Sequence, residues 1–289
     1  MKLLITGSAG QLGQILVPIL EQTDTVFPKT KEQLDITQIE QVKEILEELR
    51  PDCVINLAAF TQVELAETQG KVQCYTTNTK AVEGLAYLCY SLNIRLIHIS
   101  TNYVFSGKYP KLYTEQDIAD PINYYGYCKL KGEEAALRTH KNTIILRTSS
   151  LYSPAGENFV TKVLKKIELG EEIGVLEKAS TQPTSCEELA FFIAALIQQP
   201  QITGILHYTG EEYCSWYLYA QLIRELYTIN SHKPAPPIVP LKVNRDNLRP
   251  PFALLNNQLR KNLSHRMSPA LAISLEKIIV SWLQRTYPF

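Results

Sequence analysis

Short apolar runs alternate with amphipathic segments through the first half of the chain. Continuous apolar runs of strand length predict buried strands, and apolar residues that recur every three or four positions predict helices. The predicted strands cover residues 2–6, 53–57, 95–99 and 143–147, and the predicted helices cover residues 11–22, 39–49 and 79–92. Because strands that alternate with helices form parallel sheets, we expect an α/β fold with a doubly wound parallel sheet.

The pattern changes after about residue 150. Further helices are predicted at residues 159–169, 186–198, 216–227 and 268–284, with a short strand at 204–209. The Pro-rich stretch 233–251 has little periodicity and predicts an ordered surface loop. We therefore expect one lobe over residues 1–150 and a smaller one over residues 151–289, with some segments crossing back to the first.

Charge and cysteine content narrow the classes of function. The 29 basic residues balance the 29 acidic ones, so we expect no nucleic-acid partner. No apolar run approaches the ~18 residues that span a bilayer, so we expect no membrane segment. The six cysteines are scattered without a C-x-x-C pair, which is typical of free thiols in the cytoplasm. The five histidines show no metal-ligand spacing, so we assign no metal site.

Three glycines follow the first predicted strand and open the first predicted helix. Glycines at this place let the backbone turn tightly and approach a pyrophosphate, which the helix N-terminus also attracts. The spacing predicts a Rossmann-type dinucleotide site, with residues 1–150 as the dinucleotide-binding lobe and 151–289 as mainly the substrate-binding lobe. The cofactor contacts predicted at the turn are Gly7, Gly10, Gln11, Leu12 and Gly13.

The segment after the second strand bears on which cofactor binds. Many NAD-specific sites place an acidic residue there for the ribose 2′-hydroxyl, but residues 25–30 contain no acid and include Lys29. This favours NADPH, or use of both NADPH and NADH, with Lys29 near a 2′-phosphate; the alternative is a solvated surface lysine. Further cofactor contacts are predicted at Asp35, Ile36, Ala58, Ala59 and Asn78.

A tyrosine and a lysine four residues apart form the candidate proton-transfer pair. Residues at this spacing share a helix face, and a lysine charge favours the phenolate and so lowers the tyrosine pKa. Two registers fit, Tyr125 with Lys129 and Tyr127 with Lys131. The small residue Gly126 beside the tyrosine makes room for a cofactor and favours the first pair.

Thr101 ends a predicted buried strand, where open α/β sheets hold their ligands. Its hydroxyl could hydrogen-bond a substrate carbonyl oxygen and steady Tyr125. A nucleotide-binding fold that carries Thr101, Tyr125 and Lys129 has the groups needed to deliver a hydride and a proton to a ketone.

Together these segments resemble the extended short-chain dehydrogenase/reductase family, and within it the branch of dTDP-4-dehydrorhamnose reductases. The resemblance covers nearly the full length. The segments that carry it include Leu34-Asp-Ile-Thr37, Ser100-Thr-x-Tyr-Val-Phe105, Pro121-Ile-Asn-x-Tyr-Gly126, Arg147-Thr-Ser149, Asn158-Phe159, Pro183-Thr184, Ser215-Trp216-Tyr217 and Arg249-Pro250.

The resemblance implies reduction of dTDP-4-dehydrorhamnose to dTDP-L-rhamnose with NADPH or NADH, for the synthesis of surface polysaccharide. Tyr125 would protonate the developing alkoxide, Thr101 would hold the oxygen, and Lys129 would grip the nicotinamide ribose. The implied substrate contacts are Thr61, Tyr103, Asn158 and Arg249. Some members of the family are metal-bridged dimers, so a homodimer is left open, without ligands assigned for a metal.

Four departures from the family pattern bear on the sugar pocket. Asn102 stands where the family usually has Asp, Leu65 replaces a lysine, and Ser150 replaces a tryptophan expected near the sugar. The segment 179–184 also differs from the usual Gln-x-Gly-x-Pro-Thr. The three candidate catalytic residues survive these changes, so the chemistry is expected to be intact and the pocket altered.

Two alternatives follow. The first is a reductase of a different nucleotide-linked keto sugar, which the loss of an aromatic wall at Ser150 favours. The second is a non-enzymatic cofactor-binding subunit, since the regulatory β subunit of methionine adenosyltransferase shares the fold and carries Asn at the position of Asn102. An epimerase or dehydratase is disfavoured, because a 4,6-dehydratase would need an acid directly after Thr101.

Overall fold

A computed structural model describes residues 1–241, 248–263 and 269–284. The strands are β1 (Lys2–Thr6), β2 (Thr25–Lys29), β3 (Cys53–Asn56), β4 (Arg95–Thr101), β5 (Leu112–Tyr113), β6 (Thr143–Thr148), β7 (Leu151–Tyr152), β8 (Ile173–Leu176), β9 (Ser180–Thr181), β10 (Thr184–Ser185), β11 (Gly204–His207), β12 (Cys214–Ser215), β13 (Ile238–Leu241) and β14 (Leu254–Leu255).

The helices are α1 (Gln11–Leu20), α2 (Ile39–Leu49), α3 (Val63–Ala66), α4 (Lys71–Tyr75), α5 (Ala81–Ser91), α6 (Tyr124–Thr139), α7 (Phe159–Leu169), α8 (Cys186–Ile197), α9 (Trp216–Ser231), α10 (Gln258–Leu263) and α11 (Leu271–Gln284). A π-helical turn, Thr76–Lys80, precedes α5, and a 3-10 turn, Asn102–Val104, follows β4. In the described part of the chain, no helix combines the length and apolarity needed to cross a membrane.

Six parallel strands form the central sheet in the order β11–β6–β4–β3–β1–β2. The strand order reverses at β1, because β2 lies on one side of it while β3 and the later strands lie on the other. Open α/β sheets bind their ligands outside the carboxyl ends of the strands at such a reversal. The predicted doubly wound parallel sheet is confirmed, and the reversal marks where a cofactor is expected.

Alternate residues of each strand face opposite helical layers. On one face, residues such as Leu3 and Ile97 pack in a core that also contains residues of α1 and α8. On the other face, Leu4 and Leu96 pack in a core with residues of α2, α5 and α6. Near-continuous apolar strands are what burial on both faces requires, and β3 and β6 are buried at every residue.

A separate apolar core lies in the C-terminal part of the chain, where α7, α9 and α11 pack together with β8 and β13. Strand β13 lies within the Pro-rich stretch predicted as a loop, so that prediction was wrong at residues 238–241, where the backbone pairs with β8. Residues 242–247 of the same stretch, and residue 268 at the predicted start of the last helix, lie outside the described residues.

Candidate active site

The glycine turn after β1 packs against the start of the loop after β3. Gly7 has φ +64°, a left-handed conformation that favours glycine, and a Cβ there would lie 2.8 Å from the backbone nitrogen of Ala58. A Cβ on Gly13 would lie 2.4 Å from the carbonyl oxygen of Ser8. Both positions require glycine for the turn to close.

Helix α1 opens directly from this turn, with Gly10 as its N-cap in an extended conformation. Because glycine has no side chain with which to cap, the N–H groups of the first turn are left for a ligand, and the helix dipole favours an anion. The side chain of Leu12 is buried in the core and Gln11 donates a hydrogen bond to Cys186 Sγ at 3.2 Å, so their predicted contacts would come from the backbone. A glycine cradle at a helix N-terminus fits the pyrophosphate of a dinucleotide.

Lys29 and Ala59 lie on either side of the glycine turn, at the ends of strands that flank β1. The carbonyl of Lys29 accepts a hydrogen bond from Ser8 N–H at 3.0 Å, which fixes the end of β2 against the turn. Ala58 and Ala59 follow β3 and are half-buried. Ala58 and Ala59 carry small side chains and Lys29 ends β2 beside the turn, and the predicted cofactor contacts of all three stay predictions.

The side chains of Asp35 and Ile36 lie close to residues that are near them in sequence. One carboxylate oxygen of Asp35 accepts hydrogen bonds from the N–H and the hydroxyl of Thr37, at 2.9 and 2.8 Å. Ile36 is buried and lines a groove of about 500 Å³ together with Ile39 and Tyr87. This groove lies between α2 and α5, on the side of the sheet that carries the second core.

The side chain of Asn78 supports the loop after β3, and its predicted cofactor contact stays a prediction. Its side chain is 1% exposed, accepts a hydrogen bond from Phe60 N–H at 2.9 Å and donates one to the Phe60 carbonyl at 2.9 Å. This buried amide therefore holds the loop in place.

Two contacts fix the start of α6. Asn123 caps the helix by accepting a hydrogen bond from Gly126 N–H at 2.6 Å, and its amide donates to the carbonyl of Leu248 at 2.6 Å. A Cβ on Gly126 would lie 2.1 Å from the carbonyl oxygen of Tyr103, so glycine lets the helix touch the turn after β4. This contact brings Tyr125 beside Thr101.

Tyr125 is hydrogen-bonded to Thr101, and the ring of Tyr103 meets it edge-on with centroids 6.1 Å apart. Burial raises the pKa of Tyr125 above its ordinary value of 10.0, and the hydrogen bond to Thr101 lowers it only in part. The Tyr/Lys spacing predicts a lowered pKa, and the structure gives the opposite direction, because burial outweighs the hydrogen bond to Thr101. A raised pKa keeps the phenol protonated, as a proton donor requires.

The structure distinguishes the two candidate Tyr/Lys pairs. Tyr127 is 41% exposed, and Lys131 pairs with Glu134 on the surface at 2.6 Å. Tyr125 and Lys129 instead contact the last residues of β4, at the carboxyl edge of the sheet, where a ligand-binding crevice is expected. The structure therefore favours the first pair as the candidate catalytic pair.

Lys129 is buried, with 2% of its surface exposed. Its Nζ donates a hydrogen bond to the carbonyl of Ile99 at 2.6 Å and lies 3.1 Å from His98 Nε2. Burial lowers the pKa of Lys129 to about 8, although the carboxylate of Glu133 works in the opposite direction. The ammonium group therefore titrates close to neutral pH.

Glu133, one helical turn beyond Lys129, belongs to a second buried network. Its two carboxylate oxygens accept hydrogen bonds from Arg147 Nε at 3.1 Å each, and one of them also accepts from Ser100. Ser100 directly precedes Thr101. This network ties α6 to the ends of β4 and β6, and so fixes the relative positions of the three candidate catalytic residues.

Arg249 contacts two residues, one of which, Tyr103, packs against Tyr125. It donates a hydrogen bond to the hydroxyl of Tyr103 at 3.4 Å and forms an ion pair with Glu64. Thr61 is exposed in the loop before α3, close in sequence to Glu64. Of the predicted substrate residues, Tyr103 and Arg249 therefore lie in contact, while the substrate contact of Thr61 stays a prediction.

The side chain of Asn158 caps a helix, and its predicted substrate contact stays a prediction. Its Oδ1 caps α7 by accepting a hydrogen bond from Thr161 N–H at 3.1 Å, and its amide donates to the carbonyl of Ser153 at 2.9 Å. The side chain is 7% exposed. Asx residues favour helix N-caps because their side-chain oxygen can accept such a bond.

The departures from the family pattern have structural counterparts. The amide of Asn102 donates to the carbonyl of Ala253 at 2.6 Å, a bond that a carboxylate could not donate. Ser150 has φ +39° and its hydroxyl is hydrogen-bonded to Thr181. The position that the family fills with an aromatic side chain is thus held by a small hydrogen-bonded pair.

Thr148 and His98 were not predicted as site residues from the sequence. Thr148 is paired with Thr101 in register, and its buried hydroxyl has no hydrogen-bond partner among the described residues. Its place at the end of a buried strand is the same signal that selected Thr101, and could have found it. No sequence pattern marks His98 as a site residue, because its contact with Lys129 depends on packing between α6 and β4.

Comparison with known proteins agrees over nearly the whole chain. The family model described as RmlD substrate binding domain matches residues 1–281. A dTDP-4-dehydrorhamnose reductase from Aggregatibacter actinomycetemcomitans is 34% identical over 226 residues, which cover 76% of each chain. A dTDP-4-keto-6-deoxy-D-glucose reductase from Streptomyces niveus is 33% identical over 256 residues, 88% of each chain.

A similar structure has been solved by crystallography. The dTDP-4-dehydrorhamnose reductase from Bacillus anthracis, in complex with NADP, superimposes with a TM-score of 0.88 at 31% identity. The match covers 97% of this chain and 99% of that one.

Proposed function

This chain belongs to the RmlD substrate-binding-domain family of nucleotide-sugar reductases, and from that premise we propose that it reduces dTDP-4-dehydrorhamnose to dTDP-L-rhamnose. The observation that carries the proposal is the meeting of Thr101, Tyr125 and Lys129 beside a glycine turn that fits a pyrophosphate. The chain is an enzyme that uses NADPH to reduce the keto group of a dTDP-linked sugar.

When bound, NADPH supplies the hydride for the carbonyl carbon. Tyr125 then donates its phenolic proton to the oxygen that becomes an alkoxide, which its raised pKa allows because the group stays protonated until the transition state. Thr101 shares a hydrogen bond with the phenol and holds the same carbonyl oxygen. The buried charge of Lys129 stabilises the phenolate left behind and binds the ribose hydroxyls.

The residues at the turn support NADPH over NADH. A 2′-phosphate at the end of β2 would meet Lys29, in a segment without the acidic side chain that would hydrogen-bond a free 2′-hydroxyl. The contacts assigned to Gly7, Gly10 and Gly13 are backbone contacts, as the clash of any Cβ at Gly7 and Gly13 requires. A solved relative bound to NADP supports the same cofactor.

We assign the nucleotide end of the substrate to the rim formed by Thr61, Tyr103 and Arg249. A guanidinium forks onto phosphate oxygens, so Arg249 would exchange Glu64 for the diphosphate of the substrate. This exchange favours a doubly charged nucleotide sugar over an uncharged ketone.

A different dTDP-linked keto sugar is the second candidate. It is favoured by the small Ser150–Thr181 pair in place of an aromatic wall, and by the relative from Streptomyces niveus, whose name gives a 4-keto-6-deoxy-D-glucose as its substrate. The two sugars differ in configuration around the ring, which is what a reshaped wall would distinguish.

Four further assignments belong to the same proposal. Residues 1–150 form the dinucleotide-binding lobe and residues 151–289 mainly the substrate lobe, with β11 contributing to the first. The product serves surface polysaccharide synthesis. The enzyme is cytoplasmic, since its six free cysteines suit a reducing compartment. A homodimer would be tested by sedimentation analysis.

The experiment is to incubate the protein with NADPH and either dTDP-4-dehydro-L-rhamnose or dTDP-4-keto-6-deoxy-D-glucose, and to identify the product by NMR. Formation of dTDP-L-rhamnose with the higher kcat/KM supports the first candidate. Preference for the second sugar would move the assignment there. Failure of both, with NADPH still bound, would favour the non-enzymatic regulatory role.

A further inference from the structure

A buried polar row lies behind Lys129. Thr6, Asn56 and His98 occupy register-paired positions on β1, β3 and β4, and each is 0% exposed. Thr6 Oγ1 donates a hydrogen bond to Asn56 Oδ1 at 2.6 Å, and Asn56 Nδ2 lies 2.9 Å from His98 Nδ1. His98 Nε2 lies 3.1 Å from Lys129 Nζ, so a continuous chain of hydrogen bonds runs from the first strand to the lysine.

The row interrupts an apolar layer. Two residues earlier on the same face of the same strands, Leu4, Val54 and Leu96 pack in the core. Buried polar groups cost free energy even when their hydrogen bonds are made good, so three in adjacent positions indicate a requirement other than packing. Burial holds the pKa of His98 well below its ordinary 6.5, so its imidazole is neutral.

The protons of the row can be placed from the chemistry of its members. A neutral imidazole has one donor and one acceptor, whereas a charged lysine has only donors. Beside a charged Lys129, Nε2 of His98 must accept and Nδ1 must carry the proton. This placement requires the Asn56 amide to be turned by 180° from its orientation in the structure, where Oδ1 faces Thr6 and Nδ2 faces His98. An amide oxygen and nitrogen are alike in size, and after the turn the oxygen accepts from His98 Nδ1–H and the nitrogen donates to Thr6 Oγ1.

We propose that His98 is a positioning residue for Lys129: its neutral imidazole accepts a hydrogen bond from the ammonium group and holds that group, charged, at the floor of the crevice. The row on the other side of the ring prevents the imidazole from turning away. The consequence for turnover rests on the proposed reductase function, but the contact itself does not.

Other groups also face Lys129. Glu133 on its own helix and Cys74 on α4 act on its charge, and Arg147 of β6 takes up much of the Glu133 carboxylate. The Ile99 carbonyl is part of the backbone and is fixed by the sheet. Among these described neighbours, His98 is a side-chain partner that can be replaced without adding or removing a charge.

The matched pair His98→Asn and His98→Gln tests the contact. Both variants carry an amide, but the Gln side chain is one methylene longer and reaches the place of Nε2, while the Asn side chain reaches only that of Nδ1. The pKa of Lys129 would be measured by NMR titration of the ¹³C-labelled lysine Cε in the cofactor-free protein. Loss of the signal in Lys129→Met assigns it.

The wild type is expected to titrate near pH 8. His98→Asn removes the acceptor of the charged form, so its midpoint is expected to fall by about one pH unit, a tenfold loss of proton affinity. His98→Gln should stay within a few tenths of a unit of the wild type. Ile145→Val, which trims the core residue paired with His98 on β6, is the control and should leave the midpoint unchanged.

An unchanged midpoint in folded His98→Asn would overturn the assignment, and so would a rise, since a rise would mean that the imidazole donates to a neutral lysine. Circular dichroism of each variant distinguishes this result from loss of folding. If His98→Asn does not fold, His98→Gln still tests the proposal. A midpoint about one pH unit below that of the wild type in this variant would also overturn it. If the wild type reduces no nucleotide sugar, the proposed function fails while the titration still decides the role of His98.

Discussion

The carboxylate of Glu133 and the guanidinium of Arg147 form an ion pair inside the protein, with Nη2 and Oε2 2.6 Å apart and both side chains at least 97% buried. Glu133 lies on the same helix as Tyr125 and Lys129, and Arg147 lies on the strand beside Thr101. The pair therefore joins α6, which carries the proton donor Tyr125, to β6, the strand beside the one that carries Thr101. Each charge depends on the other for its stabilisation, because neither side chain has access to solvent.

Glu133→Gln should destabilise the protein strongly, because it leaves the Arg147 charge buried without its partner. Breaking a buried pair in this way costs ~3–5 kcal/mol in the free energy of unfolding, measured by urea denaturation. Glu134→Gln is the matched control: Glu134 pairs with Lys131 on the surface and should cost ~1 kcal/mol or less. Equal losses in the two variants would show that the buried pair contributes no more than the exposed one.

Gly7→Ala should abolish NADPH binding, since the added Cβ would meet the backbone of Ala58 at 2.8 Å and open the turn. Gly170→Ala is the control, with a similar φ of +71° and no atom within 4 Å of the added Cβ among the described residues. That variant should lose only the ~1 kcal/mol of a left-handed alanine and still bind NADPH. The measurement is fluorescence titration with NADPH. Normal binding by Gly7→Ala would contradict the cradle.

Activity should fall as the pH rises through about 8, because burial lowers the pKa of Lys129 to that value and the charged form is the active one. The kcat/KM for NADPH is expected to be level below this pH and to drop about tenfold per unit above it. A profile that stays level to about pH 10, the range of an ordinary lysine, would contradict a role for the Lys129 charge.

The same burial predicts how stability depends on pH. The folded chain releases the Lys129 proton near pH 8, whereas an unfolded lysine holds it to its ordinary value of 10.5. Between these values the unfolded chain binds more protons, so this group makes the free energy of unfolding rise with pH.

Lys29→Ala should weaken NADPH binding by about tenfold and leave NADH binding nearly unchanged, because a charge-assisted bond to the 2′-phosphate is available only to NADPH. Lys31→Ala, an exposed lysine two residues further on, is the control and should change neither. Equal effects of Lys29→Ala on the two cofactors would make Lys29 an ordinary surface side chain.

Local signals in the sequence predicted the elements well. Helices α2 and α7 begin and end where their periodicity predicts, because each carries a regular apolar stripe that the sheet or a neighbouring helix covers. The short strand β13 was missed, because Pro-rich sequence hides a pairing with β8 that only the tertiary fold provides.

The site could be predicted only in part, for a physical reason. The Tyr125/Lys129 spacing is a property of one helix and can be read locally, whereas the capping role of Asn158 and the buried role of Asn78 depend on which backbone groups the fold brings to them. The direction of the Tyr125 pKa shift likewise depends on burial by neighbouring elements, which a spacing does not reveal.

The most direct test of the account follows the hydride itself and the residue that completes the step. NADPH deuterated at C4 would be mixed with dTDP-4-dehydro-L-rhamnose, and the product examined by mass spectrometry and NMR. Wild-type protein should place deuterium at C4 of the sugar. Tyr125→Phe should do so at least ~10²-fold more slowly while still binding NADPH, and Tyr127→Phe should match the wild type. No deuterium at C4, or full activity in Tyr125→Phe, would contradict the central claim.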